Sequence, residues 1–246
     1  MSVDPQRFAH LTFEDFRALA LDASLSRHEK IGFPDAYRAG KTESILADIR
    51  SKLTHLDTLG ARVLDIGAGC GELALRLIEH GRHLGQSLVL VDSEEVLAQL
   101  PDHSFATKVP GRFPEDSHDL LVQCDAFDVI LVYSVLHYVF AESDPVGFVE
   151  SALGLLDHGG EMLVGDIPLE RFFTSPAGVR FHRANTGQTD ESPDTRTWIQ
   201  AGAIDDDAIL GLVSHARRAG FDAYVVPQGP DLPMANRRED LLFRRP

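Results

Sequence analysis

The sequence predicts an α/β fold: a doubly wound, mostly parallel sheet of seven strands with an antiparallel C-terminal strand, preceded by a helical cap. Three observations lead there. After about residue 60, apolar runs alternate with stretches of helical periodicity, the order that builds a parallel sheet with helices on both faces. The runs are rich in leucine and β-branched residues, as strands buried on both faces are. The stretch "RVLDIGAGCGELALRLIE", starting at Arg62, leaves its apolar run through Gly67, Gly69 and Gly71 and enters a helical pattern with Leu73, Leu77 and Ile78 on one face.

Each element follows from local signals. In the cap, residues 1–59, "TFEDFRALALDA" reads as a helix capped by Thr12, with Asp15 closing a variant capping box. "KTESILADIRSKLTHL" is a second amphipathic helix, with Ile45, Ile49, Leu53 and Leu56 on one face. The linker "SRHEKIGFPDAYRAG" mixes charges with aromatic and turn residues. In the main domain, 60–246, strands are expected at 62–67, 87–92, 105–111, 127–134 and 161–167, with helices near 71–81, 93–100, 114–123 and 145–157. The last of these helices ends in "DHGG", where Gly159 or Gly160 can take the left-handed stop. Residues 171–205 are polar and aperiodic, a lid-like insertion. "DDDAILGLVSHARRAG" has acidic residues at its start and arginines at its end, matching the helix dipole. "FDAYVVPQ" and "EDLLFRRP" then form an antiparallel hairpin at the sheet edge.

Composition narrows the function classes. With 246 residues the chain can bury a large core, and 43% hydrophobic with 25% charged residues is ordinary for a globular protein. No apolar run reaches the ~18 residues of a membrane helix, and the N-terminus lacks a secretory pattern, so a cytoplasmic location is expected. A net charge of −15 argues against a protein that holds nucleic acid by its phosphates. Cys70 and Cys124 show neither metal spacing nor a disulfide framework; Asp166, ending the fifth strand, could orient a substrate or join a metal site, but no ligand set assembles around it and no metal is expected. The sequence does not set an oligomeric state, and an oligomer stays open.

The glycines carry the chemistry. A nicotinamide-binding turn reads G-x-G-x-x-G, and here Glu72 stands where the third glycine belongs, which argues against that cofactor. The pattern is instead D-x-G-x-G-x-G with Asp65 at the strand end. Asp92 ends the second strand, 21 positions after Gly71, where an acidic side chain accepts hydrogen bonds from ribose hydroxyls. The same residue could cap the helix "SEEVLAQL" instead.

These motifs resemble the class I, Rossmann-like methyltransferases that use S-adenosylmethionine, well over residues 60–167 and more loosely at the C-terminus. The resemblance implies a cofactor site built from Asp65, Gly67, Ala68, Gly69, Gly71, Asp92 and Ser93, with Tyr133 and Ser134 passing the methionine end. Family members often carry an acidic residue after the third strand to meet adenine. Here Arg112 and Phe113 stand there, and their backbone is expected to serve. His137, just past the fourth strand, is placed by resemblance as a general base; a histidine capping the following turn is the alternative. Cys70 reads as a small side chain tolerated in the turn.

Tyr37, Arg38, Tyr138, Asp166, Arg180 and His182 are the expected substrate contacts. Their aromatic and basic character implies a small polar acceptor such as a sugar, a nucleotide sugar or a phosphorylated metabolite, methylated at oxygen. The basic cluster Arg171, Arg180, His182 and Arg183 could equally be solvated loop charge. "YSVLHY" after the fourth strand is not the N/D-P-P-Y/F motif of base amino methylation. "EDFRALALD…SRHEKIGFPD" and "LPMANRREDLL" further resemble bacterial methyltransferases of surface-polysaccharide gene sets. The different-class alternative is a non-catalytic, cofactor-binding partner subunit.

Overall fold

The computed structural model describes residues 11–169, 204–233, 235 and 238–246, apart from the side chains of residues 36 and 37. At its centre is a seven-stranded sheet ordered β3-β2-β1-β4-β5-β7-β6. Strands β1 (Arg62–Ile66), β2 (Ser87–Asp92), β3 (Ala106–Pro110), β4 (Phe127–Tyr133) and β5 (Leu156–Pro168) pair in parallel. Strand β7 (Arg238–Arg244) enters antiparallel between β5 and β6 (Asp222–Pro227). The expected terminal pair of strands is present, with β6 outermost. That order lays β7 against the end of β5, where the candidate site lies.

Helices α1 (Phe13–Leu21), α2 (Arg27–Lys30), α3 (Asp35–Arg38) and α4 (Thr42–Lys52) precede the sheet, followed by a 3-10 turn at Thr54–Asp57. Helices α5 (Glu72–Leu84), α6 (Glu94–Leu97), α7 (His118–Leu121), α8 (Leu136–Glu142) and α9 (Pro145–Gly154) lie between the parallel strands, and α10 (Asp206–Arg218) leads into β6. The strands obey their period of two. Val63, Leu88, Leu90, Val129, Leu131 and Leu163 share a core with α4 and α5, through Ile45, Ile49, Leu77 and Ile78. Leu64, Ile66, Val89, Val91, Ile130 and Val132 face the opposite layer, against Phe148, Val149, Ile209 and Leu212 of α9 and α10. The amphipathic face read from "KTESILADIRSKLTHL" is therefore a sheet-packing face.

Several boundaries differ from the sequence expectation. The helices expected at 93–100 and 114–123 shrink to single turns, α6 and α7, because turns take the remaining residues. The helix expected at 145–157 stops at Gly154. Strand β5 then starts early, at Leu156, with a bulge opposite Phe127 and Val129. Gly159 takes its positive φ of 78° inside that bulge and not as a helix stop. Helix α8 had no expected counterpart, since its seven residues follow a strand without a capping residue; Val135 makes no side-chain cap. Helix α1 does carry the expected box: Thr12 accepts the Asp15 N–H while Asp15 accepts the Thr12 N–H.

Strand order reverses between β1 and β4, which leaves a crevice at their carboxyl ends, the ligand position of open α/β sheets. No helix among the described residues is long and apolar enough to cross a membrane.

Candidate active site

The glycine turn forms one wall. Gly67 and Gly69 have φ of 71° and 64°, a conformation that disfavours side chains. A Cβ on Gly67 would stand 2.4 Å from Cγ2 of Val135. The turn is held to the second strand because the Gly67 and Ala68 N–H groups donate to the Val91 carbonyl, at 2.8 and 3.1 Å. Asp92 fastens it further, its Oδ2 accepting the Gly69 N–H at 2.8 Å and its Oδ1 accepting the Ser93 N–H at 2.7 Å.

Of the two strand-end acids, Asp65 is buried and Asp92 is half-buried in the crevice wall. Burial raises the Asp65 carboxyl to about 7, with the Asp92 charge adding to it. Burial also raises Asp92, to about 6, against the two N–H groups it accepts. Asp92 does not cap the next helix. That cap is Ser93, whose hydroxyl accepts the Val96 N–H at 3.3 Å. Ser93, expected among the cofactor contacts, thus has its side chain committed to α6, and Asp65 does not line the crevice.

The crevice holds about 1140 Å3 of space. Gly67, Ala68, Gly69, Gly71, Asp92, Arg112, Phe113, Tyr133, Ser134, Arg38 and Tyr138 line it, bringing most of the sequence-derived residues together. Arg112 is ion-paired with Glu142 and stands 5.3 Å from the Phe13 ring, so its side chain latches α1 across the mouth. Phe113 packs edge-on to Phe148 at 5.2 Å.

At the far end, Ser134 and Asp166 sit in left-handed backbone conformation at adjacent strand ends, each with φ of 62°. Such strain persists only where the surroundings impose it, and it clusters at functional sites. Arg38 Nη2 donates to Ser134 Oγ and to Asp166 Oδ2, both at 2.7 Å, and the Ser134 hydroxyl donates to the same carboxylate oxygen. Arg238 brings a second guanidinium within 3.6 Å of Asp166 Oδ1. Burial alone would raise the Asp166 carboxyl, but Arg238 and Arg38 hold it below its ordinary value. Arg38 also lies 4.1 Å above the Phe33 ring, only 6% exposed, and its Nε has no partner among the described residues.

His137 is placed differently from the expectation of a crevice-lining base. Tyr138 lines the crevice, with Phe16 edge-on at 4.9 Å, while His137 packs behind it with ring centroids 4.0 Å apart. Burial drives the His137 pKa down to about 3, assisted by Arg238 and Arg38 against Asp166. The ring is neutral at physiological pH, and Nδ1 is buried without a partner among the described residues. The Tyr37 side chain, and Arg180 and His182 with their neighbours Arg171 and Arg183, lie outside the described residues.

Other lining residues had no functional reading in the sequence. Phe13, Phe16, Lys30, Ile31 and Phe33 come from the cap, and Glu142 from α8. The i, i+3 spacing of Phe13 and Phe16 on α1 was a usable sign of an apolar face. Nothing local marked Ile31, which a Cβ on Gly71 would meet at 2.7 Å. No cluster of three or more metal-ligating side chains occurs among the described residues.

Comparison with known proteins agrees with this geometry. Residues 64–164 match the family model described as a methyltransferase domain. A ubiquinone biosynthesis O-methyltransferase of Xylella fastidiosa is 32% identical over 125 residues, 50% of this chain and 49% of that protein. The chain thus spans about half the length of the curated relatives it matches. Among solved structures, an O-methyltransferase family protein from Burkholderia thailandensis superposes with a TM-score of 0.60 at 15% identity, covering 95% of this chain and 63% of that one. The plantazolicin methyltransferase BpumL, solved with a monoazolic desmethylPZN analog and SAH, gives 0.61 at 15% identity, covering 95% and 96%. At such identity these structural likenesses establish the fold.

Proposed function

We propose that this protein is an S-adenosylmethionine-dependent methyltransferase acting at an oxygen of a small molecule. The observation that carries the reading is the Asp92 carboxylate clasped to the glycine turn at the mouth of a crevice where strand order reverses. The methyltransferase-domain match and the SAH bound in the BpumL structure support it.

The residues present fit this cofactor. Gly67, Gly69 and Gly71 give its backbone approach, and Asp92 supplies acceptors for the two ribose hydroxyls. Phe113 and Val91 offer apolar packing for adenine. Arg38, a guanidinium in the crevice wall, suits the carboxylate of the amino-acid end. When bound, the cofactor supplies an electrophilic methyl on a sulfonium sulfur.

The chain's own residues then position the acceptor and exclude water, which contributes several kcal/mol of barrier lowering by orientation alone. Methylation at a hydroxyl would require its proton to leave. His137 is neutral but stands behind Tyr138, outside the crevice lining, and a pKa near 3 makes it a weak base.

For the acceptor, a sugar, nucleotide sugar or phosphorylated metabolite rests on Arg180 and His182, outside the described residues. A ring-bearing hydroxyl compound is favoured by the walls, Phe13, Phe16, Phe33 and Tyr138, and by the ubiquinone-related relative. The likeness to surface-polysaccharide enzymes has less support, because its motifs serve packing: Leu19 is buried in α1 and Leu232 in the segment before β7. The different-class reading, a cofactor-binding partner without catalysis, shares the cofactor site and differs only in methyl acceptance.

Calorimetric titration with S-adenosylhomocysteine, with NADH as control, tests the cofactor. Binding of the first alone is expected, and binding of neither would overturn the reading. A panel of catechols and nucleotide sugars then separates the acceptors, and methylation of none would favour the partner subunit.

A further inference from the structure

We infer that Asp240, on β7, is a positioning residue that sets the amino-acid end of the cofactor crevice by holding Asp166 in its left-handed conformation. The inference rests on the methyltransferase reading above. Where β5 and β7 pair, Val164 faces Leu241 and Ile167 faces Glu239, so Gly165 and Asp166 together oppose Asp240. This is a β-bulge, a device that re-aims a side chain beside a site. Inside the bulge a side chain replaces the regular ladder partner: the Asp166 N–H donates to Asp240 Oδ1 at 2.8 Å.

The Asp240 carboxylate is fully buried. Its Oδ1 also accepts Gln228 Nε2 at 2.9 Å, and its Oδ2 accepts Lys52 Nζ at 2.7 Å. Lys52 comes from α4 and also binds Asp48 Oδ2 at 2.5 Å. A buried carboxylate costs desolvation unless charge and hydrogen bonds oppose it, and here three donors from three parts of the chain converge on one group. With its N–H so held, Asp166 keeps φ at 62° and turns its carboxylate onto Arg38 and Ser134. The order of action is thus Asp240 to Asp166 to Arg38, and Arg38 faces the crevice. Asp240 itself does not line it.

Two ligands separate this role from a general structural one. S-adenosylhomocysteine carries the amino-acid end, and 5′-methylthioadenosine keeps the adenine and ribose without it. The variant Asp240→Leu with Lys52→Met removes the acceptor together with the cation paired to it, and leaves Asp48 the Gly229 N–H it accepts. It should bind S-adenosylhomocysteine about tenfold more weakly, the scale of one lost charged hydrogen bond, with methylthioadenosine binding unchanged. Asp240→Asn keeps an oxygen for the Asp166 N–H, leaves Lys52 its Asp48 partner, and should restore most of the lost affinity. In an Arg38→Met background the Leu/Met pair should have no further effect.

Equal weakening of both ligands, unchanged S-adenosylhomocysteine binding, an Asn variant no better than the Leu/Met pair, or additive effects with Arg38→Met would each overturn the inference. If the unaltered chain bound methylthioadenosine and S-adenosylhomocysteine equally well, Arg38 would have no carboxylate to meet and the inference would fall while the cofactor reading stood. If it bound neither ligand, the methyltransferase reading itself would fall, and this inference with it.

Discussion

Ser134 and Asp166 end neighbouring parallel strands in the same left-handed conformation and share a side-chain hydrogen bond, with Arg38 donating to both. The two strained positions are over-determined by this triangle. Ser134→Ala keeps the strained φ but removes the hydroxyl between two charged groups, and should lower unfolding free energy by about 1.5–3 kcal/mol. Ser134→Gly loses the same bond but relieves about 1–2 kcal/mol of left-handed strain, so urea titration should rank Gly as the more stable of the two. The reverse order would mean that the conformation is not strained.

Gly67 and Gly85 both have positive φ, but only one is crowded. A Cβ at Gly67 meets Val135 at 2.4 Å, whereas Gly85, at the end of α5, has nothing within 4 Å. Gly85→Ala should cost about 1 kcal/mol from backbone strain alone. Gly67→Ala should cost about 2–4 kcal/mol, since overpacking adds to the strain. Equal urea midpoints for the two variants would refute the close contact.

The pair Asp65 and Asp92 makes opposite predictions for folding and binding. Their folded-state values, about 7 and about 6, lie above the unfolded value of 3.8. Between those limits the folded chain binds more protons than the unfolded chain. Their contribution to stability is therefore fully present below the unfolded value and is lost as pH rises through the folded values. Asp65→Asn should flatten the pH dependence of stability between about pH 4 and 7, and a profile parallel to that of the unaltered protein would contradict the burial effect.

Cofactor binding runs the other way. In its proposed cofactor role Asp92 would accept ribose hydroxyls best as a carboxylate, so S-adenosylhomocysteine affinity should rise with pH through about 6. Asp92→Ala should abolish that rise and weaken binding by about 1.5–3 kcal/mol. Calorimetry at several pH values checks both, and an unchanged affinity would remove Asp92 from the site.

His137 should remain neutral throughout the physiological range. With its pKa near 3, its imidazole resonances should not shift between pH 5 and 8 in an NMR titration. A His137 midpoint above 5 would contradict the burial that lowers its pKa.

The sequence by itself determined the strand–helix alternation, the period-two core, the glycine turn and the Asp92 that follows it. These are local: a positive-φ glycine, a capping Thr12 or an apolar face on α4 is encoded within a few neighbouring residues. Tertiary structure alone decided the end of the crevice at Ser134 and Arg38. Asp240 lies 74 positions from the Asp166 N–H it accepts, and Arg38 reaches Asp166 across 128 positions. Only the insertion of β7 beside β5 makes those contacts neighbours, and no local pattern announces a bulge partner. The same holds for His137, which the sequence put beside the crevice and packing put behind Tyr138, where burial sets its charge. Local chemistry names the residues that a turn or a helix requires. Desolvation and long-range pairing, which exist only in the packed chain, decide which of them stay charged and what they face.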